Sequence, residues 1–326
     1  MSRDETIASI VNTVSDYREG EIARIDGAHV ERWIKQFDRA VRDPILTELD
    51  HVLQHTYLPK SAVKKFLAGL VTNEKLATED PCAFWQTVKF LDIQQGGNSQ
   101  REMLAMFDRV LHKHCGFHVQ DCGARPTKFL YLDDAIFTGN RVLRDVRAWL
   151  PSAPSASIEL HVVTVAFHRG GQWYADKEIK KAAAAAKKAI SITWWRILEI
   201  EDRKSSIIVS DVLRPTALPT DPATNAYVQS LKYPPILRTP GNVGENKFFS
   251  SDDGRQVLEQ EFLKAGLKIR AMCPMLGPSQ RPLGNMVLDT LGFGSLFVTF
   301  RNCPNNCPLA LWAGDPWFPL FPRKTN

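Results

Sequence analysis

The sequence predicts an α/β fold with a mainly parallel sheet, a helical N-terminal extension and an irregular C-terminal region. From about residue 84, short apolar runs alternate with helical patterns, as in parallel sheets covered by helices. The first eighty residues repeat apolar positions at intervals of three and four, whereas the chain beyond Arg203 is irregular and rich in proline. We therefore expect a helical region at 1–80 and an α/β domain with a C-terminal extension at 81–326.

Composition excludes several classes of protein. The 326 residues are 44% hydrophobic, which is enough for a buried core, and the net charge of +5 is too small to argue for nucleic acid. No apolar run approaches the roughly 20 residues of a membrane span, and the N-terminus lacks the layout of a secretory signal. We expect a cytoplasmic protein without membrane association, whose six sparse cysteines are reduced. The sequence leaves the oligomeric state open.

The N-terminal region is predicted to form amphipathic helices. Val30, Trp33 and Phe37 share a helical face, the pattern breaks at Pro44, and a further helix follows Ser61 as its N-cap. Because these helices lie outside the expected sheet, Ala28–Leu70 is the predicted docking surface for a partner.

The α/β domain contains three clear units of strand followed by helix. Strands are predicted at 88–93, 129–132 and 158–167, with a further strand at 192–200. The helical patterns lie at 101–114, 141–150 and 175–190. Pro151 and the small polar residues after it form a linker.

Two adjacent acids carry the chemistry. Asp133 and Asp134 follow the apolar strand, and a Thr138–Gly139 turn then opens a helix. Ligands bind at the carboxyl ends of parallel strands, and loop amides at a helix start can hold a phosphate. Carboxylates beside that phosphate can accept hydrogen bonds from sugar hydroxyls or hold a hydrated Mg²⁺. Alternatively, the two acids form an Asx-type turn that caps the next helix.

A glycine-rich turn precedes the first of these helices. It comprises Gln95, Gly96, Gly97, Asn98 and Ser99, and glycine permits the strained backbone of an anion-binding loop. The same turn is also a common way to cap a helix.

The segment FLYLDDAIFTGNR resembles the phosphoribosyl-pyrophosphate signature of type I phosphoribosyltransferases. The resemblance implies that Asp133 and Asp134 are catalytic, contact the ribose hydroxyls and hold Mg²⁺ directly or through water. The 5′-phosphate would be held by the loop, which comprises Phe137, Thr138, Gly139, Asn140 and Arg141. Arg141 stands where the family has Ser or Thr, and either adds a cation or narrows the pocket. The turn Gln95–Ser99 is similar in order and spacing to the family's pyrophosphate loop.

Most of the chain is similar to phosphoribosyltransferase-like proteins of bacterial conflict and anti-phage systems, including those encoded beside retron reverse transcriptases. The segments ERWIKQFDRAVRDPILTELDHVL, DIQQGGNSQREML and PNNCPLALWAGDPWFPLFPR carry this similarity. It implies a toxic defence effector that acts on nucleotides or phosphoribosyl pyrophosphate. The alternative is a nucleotide-binding sensor that docks on a reverse transcriptase and its DNA.

The short connection between the helix at 101–114 and Phe129 leaves open whether the protein catalyses a reaction. Type I phosphoribosyltransferases have a long mobile lid there, whereas this chain has room for one short strand. A missing lid admits water, which favours hydrolysis of a glycosidic or pyrophosphate bond, or binding without turnover. Secondary candidates are His161 and His168 with the following glycines. Ser210–Asp211 is a further candidate, because it stands where the family has its base-recognition hood in the order of the chain.

Overall fold

The protein is described from a computed structural model that covers residues 1–77, 79–126 and 128–323. Its helices and strands follow in chain order: α1 (Arg3–Thr13), α2 (Gly27–Ile34), α3 (Arg42–Thr56), β1 (Tyr57–Leu58), α4 (Lys60–Val71), α5 (Glu74–Ala77), α6 (Pro81–Gln86), β2 (Val88–Leu91), α7 (Ser99–Cys115), β3 (Lys128–Ile136), α8 (Asn140–Trp149), β4 (Ser157–His168), α9 (Arg169–Ala185), β5 (Ala189–Trp195), β6 (Leu198–Ile200), α10 (Pro222–Ser230), α11 (Asp252–Met272), β7 (Gln280–Arg281), β8 (Gly284–Asn285), β9 (Val298–Thr299) and α12 (Leu309–Trp312).

The chain divides into two compact units. Unit 1 comprises Met1–Lys60 and the described residues from Glu201 onward, and unit 2 comprises the described residues of Ser61–Ile200. The first sixty residues therefore form one unit with the C-terminal region. The domain boundary that the sequence predicts at residue 80 stays a prediction.

Unit 2 contains the parallel sheet. Its strands lie in the order β2–β3–β4–β5, β6 also pairs with β4, and every pairing is parallel. Helices α7, α8 and α9 separate β2, β3, β4 and β5 along the chain, because a parallel connection between neighbouring strands needs a crossover. The predicted α/β class with a mainly parallel sheet is confirmed.

Side chains alternate across this sheet and bury both of its faces. Phe90 packs on Phe107 of α7, with ring centroids 5.4 Å apart. Tyr131 and Val162 are buried on the opposite face, in one cluster with residues of α8 and α9. Residues 160 to 168 of β4 are all buried, as expected for a strand covered on both faces.

The strand ends differ from the sequence prediction in two places. β3 continues four residues beyond the predicted end at Leu132, because its backbone stays paired with β4 as far as Ile136. The single strand predicted at 192–200 is two strands, β5 and β6, which pair with successive stretches of β4.

In unit 1 the N-terminal helices pack against the C-terminal region. Trp33 is fully buried, and its indole Nε1 donates to the Ala310 carbonyl at 2.8 Å. Tyr17 donates to the Pro322 carbonyl at 3.0 Å. Because the apolar faces of α2 and α3 are internal to unit 1, partner docking by Ala28–Leu70 would have to use their exposed polar faces. Deleting the N-terminal region would remove part of a core.

The expectation from sequence that all six cysteines are reduced is wrong for one pair. Cys82 and Cys115 form a disulfide between the start of α6 and the end of α7. The other four cysteines are free, and Cys303 and Cys307 are buried in unit 1. Composition gives only the redox tendency of a whole chain, whereas this pair depends on how two helices meet.

Among the described residues, no helix has both the length and the apolar character needed to cross a bilayer. Cytoplasmic location stays a prediction.

Candidate functional site

The acid pair lies inside strand β3 and not in the loop after it. Asp133 is in register with Thr164 of β4 and is almost completely buried, whereas Asp134 is half-buried. Each carboxylate accepts a hydrogen bond from the amide that follows it, at 2.8 Å for Asp133 and 2.7 Å for Asp134. Neither acid caps the next helix, because its N-cap is Gly139 without a side-chain cap bond. The helix-capping alternative is therefore wrong.

Ser99 lies between the glycine-rich turn and the acid pair. Its Oγ accepts from Gln94 Nε2 at 2.9 Å, and its hydroxyl opposes the rise in the pKa of Asp133 that burial causes. The same Oγ lies 3.5 Å from a guanidinium nitrogen of Arg141, the first-turn residue of α8. The structure thus brings together three of the residues proposed from sequence: Ser99, Asp133 and Arg141.

Two glutamines brace the glycine-rich turn. The Gln100 side-chain oxygen accepts from the amides of Ile93 and Gln94, at 2.8 and 2.9 Å. In return, the Gln94 side-chain oxygen accepts from the Gln100 amide at 3.2 Å. The residues between them, Gln95 to Asn98, are exposed. Sequence reasoning missed this brace, for which glutamines at both ends of the turn were the available signal.

Two helices begin at this edge of the sheet without side-chain caps. The N-cap of α7 is Asn98 and that of α8 is Gly139, and neither makes a side-chain cap hydrogen bond. First-turn amides of a helix have no partner within the helix, and the helix dipole makes that end attractive to anions. With the Arg141 guanidinium between them, the two helix starts suit a phosphate or pyrophosphate group.

Gly139 is required by packing as well as by backbone conformation. Its φ is +77°, and a Cβ added there would lie 2.2 Å from the carbonyl oxygen of Gly171 at the start of α9. A Cβ on Gly171 would in turn lie 1.9 Å from the Phe137 carbonyl oxygen. A larger residue at position 139 would therefore collide with the start of α9 and destabilise the fold.

A buried polar chain lies behind Asp133. The Tyr131 hydroxyl is 3.0 Å from Asp145 Oδ2 and 3.4 Å from Asp133 Oδ2. Burial, followed by the charge of Asp134, raises the pKa of Asp133 to about 7, while the Ser99 hydroxyl opposes that rise. Burial also raises the pKa of Tyr131, so its hydroxyl remains a donor. Sequence reasoning did not single out Tyr131 or Asp145, since both have the pattern of ordinary strand and helix residues.

The histidines considered from sequence have structural partners. His168 is fully buried, with Nδ1 3.0 Å from the Ile136 carbonyl oxygen, and burial lowers its pKa to about 4. Its ring lies 4.8 Å from that of Phe137, so it supports the loop between β3 and α8 from within. His161 contacts Glu159 at 3.1 Å and Trp195 at 3.2 Å.

Ser210 and Asp211 are buried in unit 1. The Asp211 carboxylate accepts from the Glu201 amide at 2.8 Å and from the Asn246 side chain at 2.6 Å. A role as a base-recognition hood stays a prediction.

Hydrogen bonds hold the connection between α7 and β3 in place. This connection lies at the end of the sheet opposite the acids. His118 and the Val119 amide both contact the Asp108 carboxylate, at 2.9 and 2.8 Å. The Gly123 amide donates to the Gln86 carbonyl at 2.8 Å, just before β2 begins. Over residues 116–126 the connection forms a single turn of 3₁₀-helix, Val119–Asp121, where the sequence had left room for a strand.

A family model described as PRTase-CE matches residues 30–323. The chain belongs to the PRTase-CE family. The match covers both units, and together with the parallel sheet it identifies a phosphoribosyltransferase-like protein. Comparisons with curated proteins and with solved structures gave no match.

Proposed function

We propose that unit 2 binds the ribose-5-phosphate group of phosphoribosyl pyrophosphate or of a nucleotide. The observation that carries this proposal is the Ser99 link, by which the glycine-rich turn, Asp133 and Arg141 meet at one edge of a parallel sheet. A family resemblance gives only the order of these segments, whereas in the fold the Ser99 hydroxyl lies 3.5 Å from the Arg141 guanidinium, and both residues influence the pKa of Asp133.

The phosphate end of the ligand is assigned to the starts of α7 and α8. First-turn amides of the two helices, apart from the Gln100 amide that donates to Gln94, and a guanidinium are donors suited to an anion. In this assignment Thr138, Gly139 and Asn140 hold the 5′-phosphate, and Gln95–Ser99 holds a pyrophosphate. Arg141 adds a cation between them.

The ribose end is assigned to the acid pair. Asp134 is half-buried and can accept hydrogen bonds from ribose hydroxyls, while Asp133 lies 3.4 Å from the Tyr131 hydroxyl. These oxygen donors also fit a hard cation, and Mg²⁺ commonly uses one or two carboxylates together with water and substrate phosphates. Asp134, with Asp133 directly or through water, would hold such an ion. When bound, Mg²⁺ would neutralise charge on a pyrophosphate leaving group.

The reaction we propose, where one occurs, is transfer of the phosphoribosyl group to water or hydrolysis of the pyrophosphate bond. The fastened α7–β3 connection supports this choice, because it supplies no lid over the acids from residues 116–126. Without closure by that segment, water can reach a reacting sugar carbon. The cellular role proposed from the resemblance is that of an anti-phage effector, toxic through its action on nucleotides.

The α7–β3 connection, which supplies no lid from residues 116–126, also favours a second candidate. This candidate is a sensor that binds a nucleotide without turnover and signals to a reverse transcriptase with its DNA. Exposed lysines on α4, Lys64 and Lys65, offer an anion-facing surface within the predicted docking region. Replacing both with Glu should abolish partner binding and leave nucleotide affinity unchanged. Normal partner binding by this variant would remove α4 from the docking surface.

Isothermal titration calorimetry tests the binding proposal directly. Phosphoribosyl pyrophosphate and nucleoside monophosphates are titrated into the native chain, with and without Mg²⁺. We expect Asp134→Asn to weaken binding that Glu178→Gln leaves unchanged, since Glu178 is a carboxylate on α9 paired with Lys181 at 2.7 Å. Absence of binding to the native chain by every ligand in both conditions overturns the proposal.

Nucleotide pools separate the enzyme from the sensor. Mass spectrometry of cells that express the native chain, Asp134→Asn or Glu178→Gln should show altered pools with the native chain and the control alone. Unchanged pools in all three, together with measured nucleotide binding, would support the sensor and contradict the enzyme.

A further inference from the structure

A second cluster of reactive side chains lies at the far end of α7 from Ser99. Cys82, His114 and Cys115 each offer one ligand atom, and these atoms all lie within 4.8 Å of one another. α7 has 17 residues, so this cluster is about 24 Å along the helix from the proposed phosphate site. It therefore plays no direct part in binding a phosphoribosyl group.

The donor set identifies the class of metal. Two thiolates and an imidazole are the ligands of zinc and other soft or borderline divalent ions, whereas Mg²⁺ and Ca²⁺ prefer oxygen. Cys82 and Cys115 are half-buried and His114 is exposed, so an ion from solution can reach all three. Three protein ligands leave a fourth tetrahedral position for water.

We propose that the reduced protein binds one Zn²⁺ through Cys82, His114 and Cys115, and that the disulfide is the metal-free state of the same site. Thiolates are the metal ligands, and neither sulfur is a thiolate while the two are bonded to each other. The cluster thus has two exclusive states, a dithiolate that holds the ion and a disulfide that does not.

The two states interconvert by a balanced redox step. Hydrogen peroxide, as the oxidant, takes two electrons from the two zinc-bound thiolates, which form the Cys82–Cys115 bond. With two protons the peroxide becomes two molecules of water, and Zn²⁺ is released. A thiol reductant restores the dithiolate. In both states α6 and α7 remain joined, first through the ion and then through sulfur.

Cobalt binding tests the site, because Co²⁺ replaces Zn²⁺ and its thiolate bonds absorb light. The native chain is reduced, freed of reductant under nitrogen and titrated with Co²⁺, and a second sample is titrated as the disulfide. We expect thiolate-to-cobalt absorption at one Co²⁺ per reduced chain, its removal by Zn²⁺, and none in the disulfide form.

Variants assign the ligands. Cys82→Ser should remove the absorption, and His114→Ala should weaken Co²⁺ affinity at least about tenfold. His112→Ala is the matched control: this exposed histidine on the same helix end stacks on His118, with ring centroids 4.1 Å apart, and its loss should change nothing. The proposal is overturned if the reduced native chain binds no Co²⁺, or if Cys82→Ser binds it with the native spectrum. The second result would place the metal on other cysteines, such as Cys303 and Cys307.

Discussion

The contact between Gly139 and Gly171 gives a stability prediction that three other substitutions can calibrate. Replacing Gly139 with Ala has two costs. A non-glycine residue in the left-handed region costs roughly 1–2 kcal/mol. The added Cβ would also lie 2.2 Å from the Gly171 oxygen, where ordinary contacts exceed 3 Å. Overpacking of this kind costs roughly 1–3 kcal/mol, so we expect Gly139→Ala to lose about 2–5 kcal/mol of unfolding free energy.

The glycine-rich turn supplies the controls. Gly97 has a φ of +88°, but a Cβ there would meet nothing closer than 3.9 Å, so Gly97→Ala should show the backbone cost alone. Gly96 has open space and no left-handed backbone, so Gly96→Ala should be neutral or slightly stabilising. Gly171→Ala has the collision without the left-handed cost.

Urea unfolding followed by circular dichroism measures all four variants. The expected order of stability is Gly96→Ala, then Gly97→Ala, then Gly139→Ala, with Gly171→Ala also well below Gly97→Ala. If Gly139→Ala is as stable as Gly97→Ala, the close approach of the two segments is not a constraint and the reasoning fails.

Three further predictions concern charge and hydrogen bonding at the same edge. Asp134→Asn should reduce affinity for a phosphoribosyl ligand by about 1.5–3 kcal/mol with no loss of unfolding free energy; a thermally destabilised variant with native affinity in calorimetry would show a structural role instead. Ser99→Ala should raise the pKa of Asp133 further, because the hydroxyl that opposes the burial effect is lost. Carboxyl ¹³C NMR across a pH series measures this pKa, and an unchanged value would contradict the role given to Ser99. Burial lowers the pKa of His168 to about 4, so the stability this residue contributes is complete above its ordinary pKa of about 6.5 and is lost as pH falls towards 4. The loss, up to about 3 kcal/mol, should disappear in His168→Asn, which keeps the donor; equal pH dependence of urea unfolding in both proteins would refute it.

The fold class was predictable because its signal is local. Apolar runs such as 129–132 followed by helical periodicity are typical of strand and helix units, and the structure has them in that order. The end of β3 was not predictable, because an aspartate pair is unfavourable in an isolated strand. Pairing of Asp133 with Thr164 in the neighbouring strand overrides that local preference.

The candidate site was predictable in its parts but not in its connections. Asp133, Ser99 and Arg141 stood out by motif and order, yet the hydroxyl that joins them depends on how two helices start at one sheet edge. The contact of Asp145 with Tyr131 joins a helix to a strand 14 residues away, and no local pattern encodes it. The same reason hid the disulfide, whose cysteines are 33 residues apart.

The location of Asp133 within a paired strand bears on the entropy of binding. Ladder hydrogen bonds to β4 fix its backbone before any ligand arrives. A carboxylate on a mobile loop must give up conformational freedom when it meets its ligand, and that loss opposes affinity. Asp133 has already lost that freedom in folding, so this half of the proposed site is preorganised. The exposed residues Gln95 to Asn98 would then carry whatever ordering a ligand still requires.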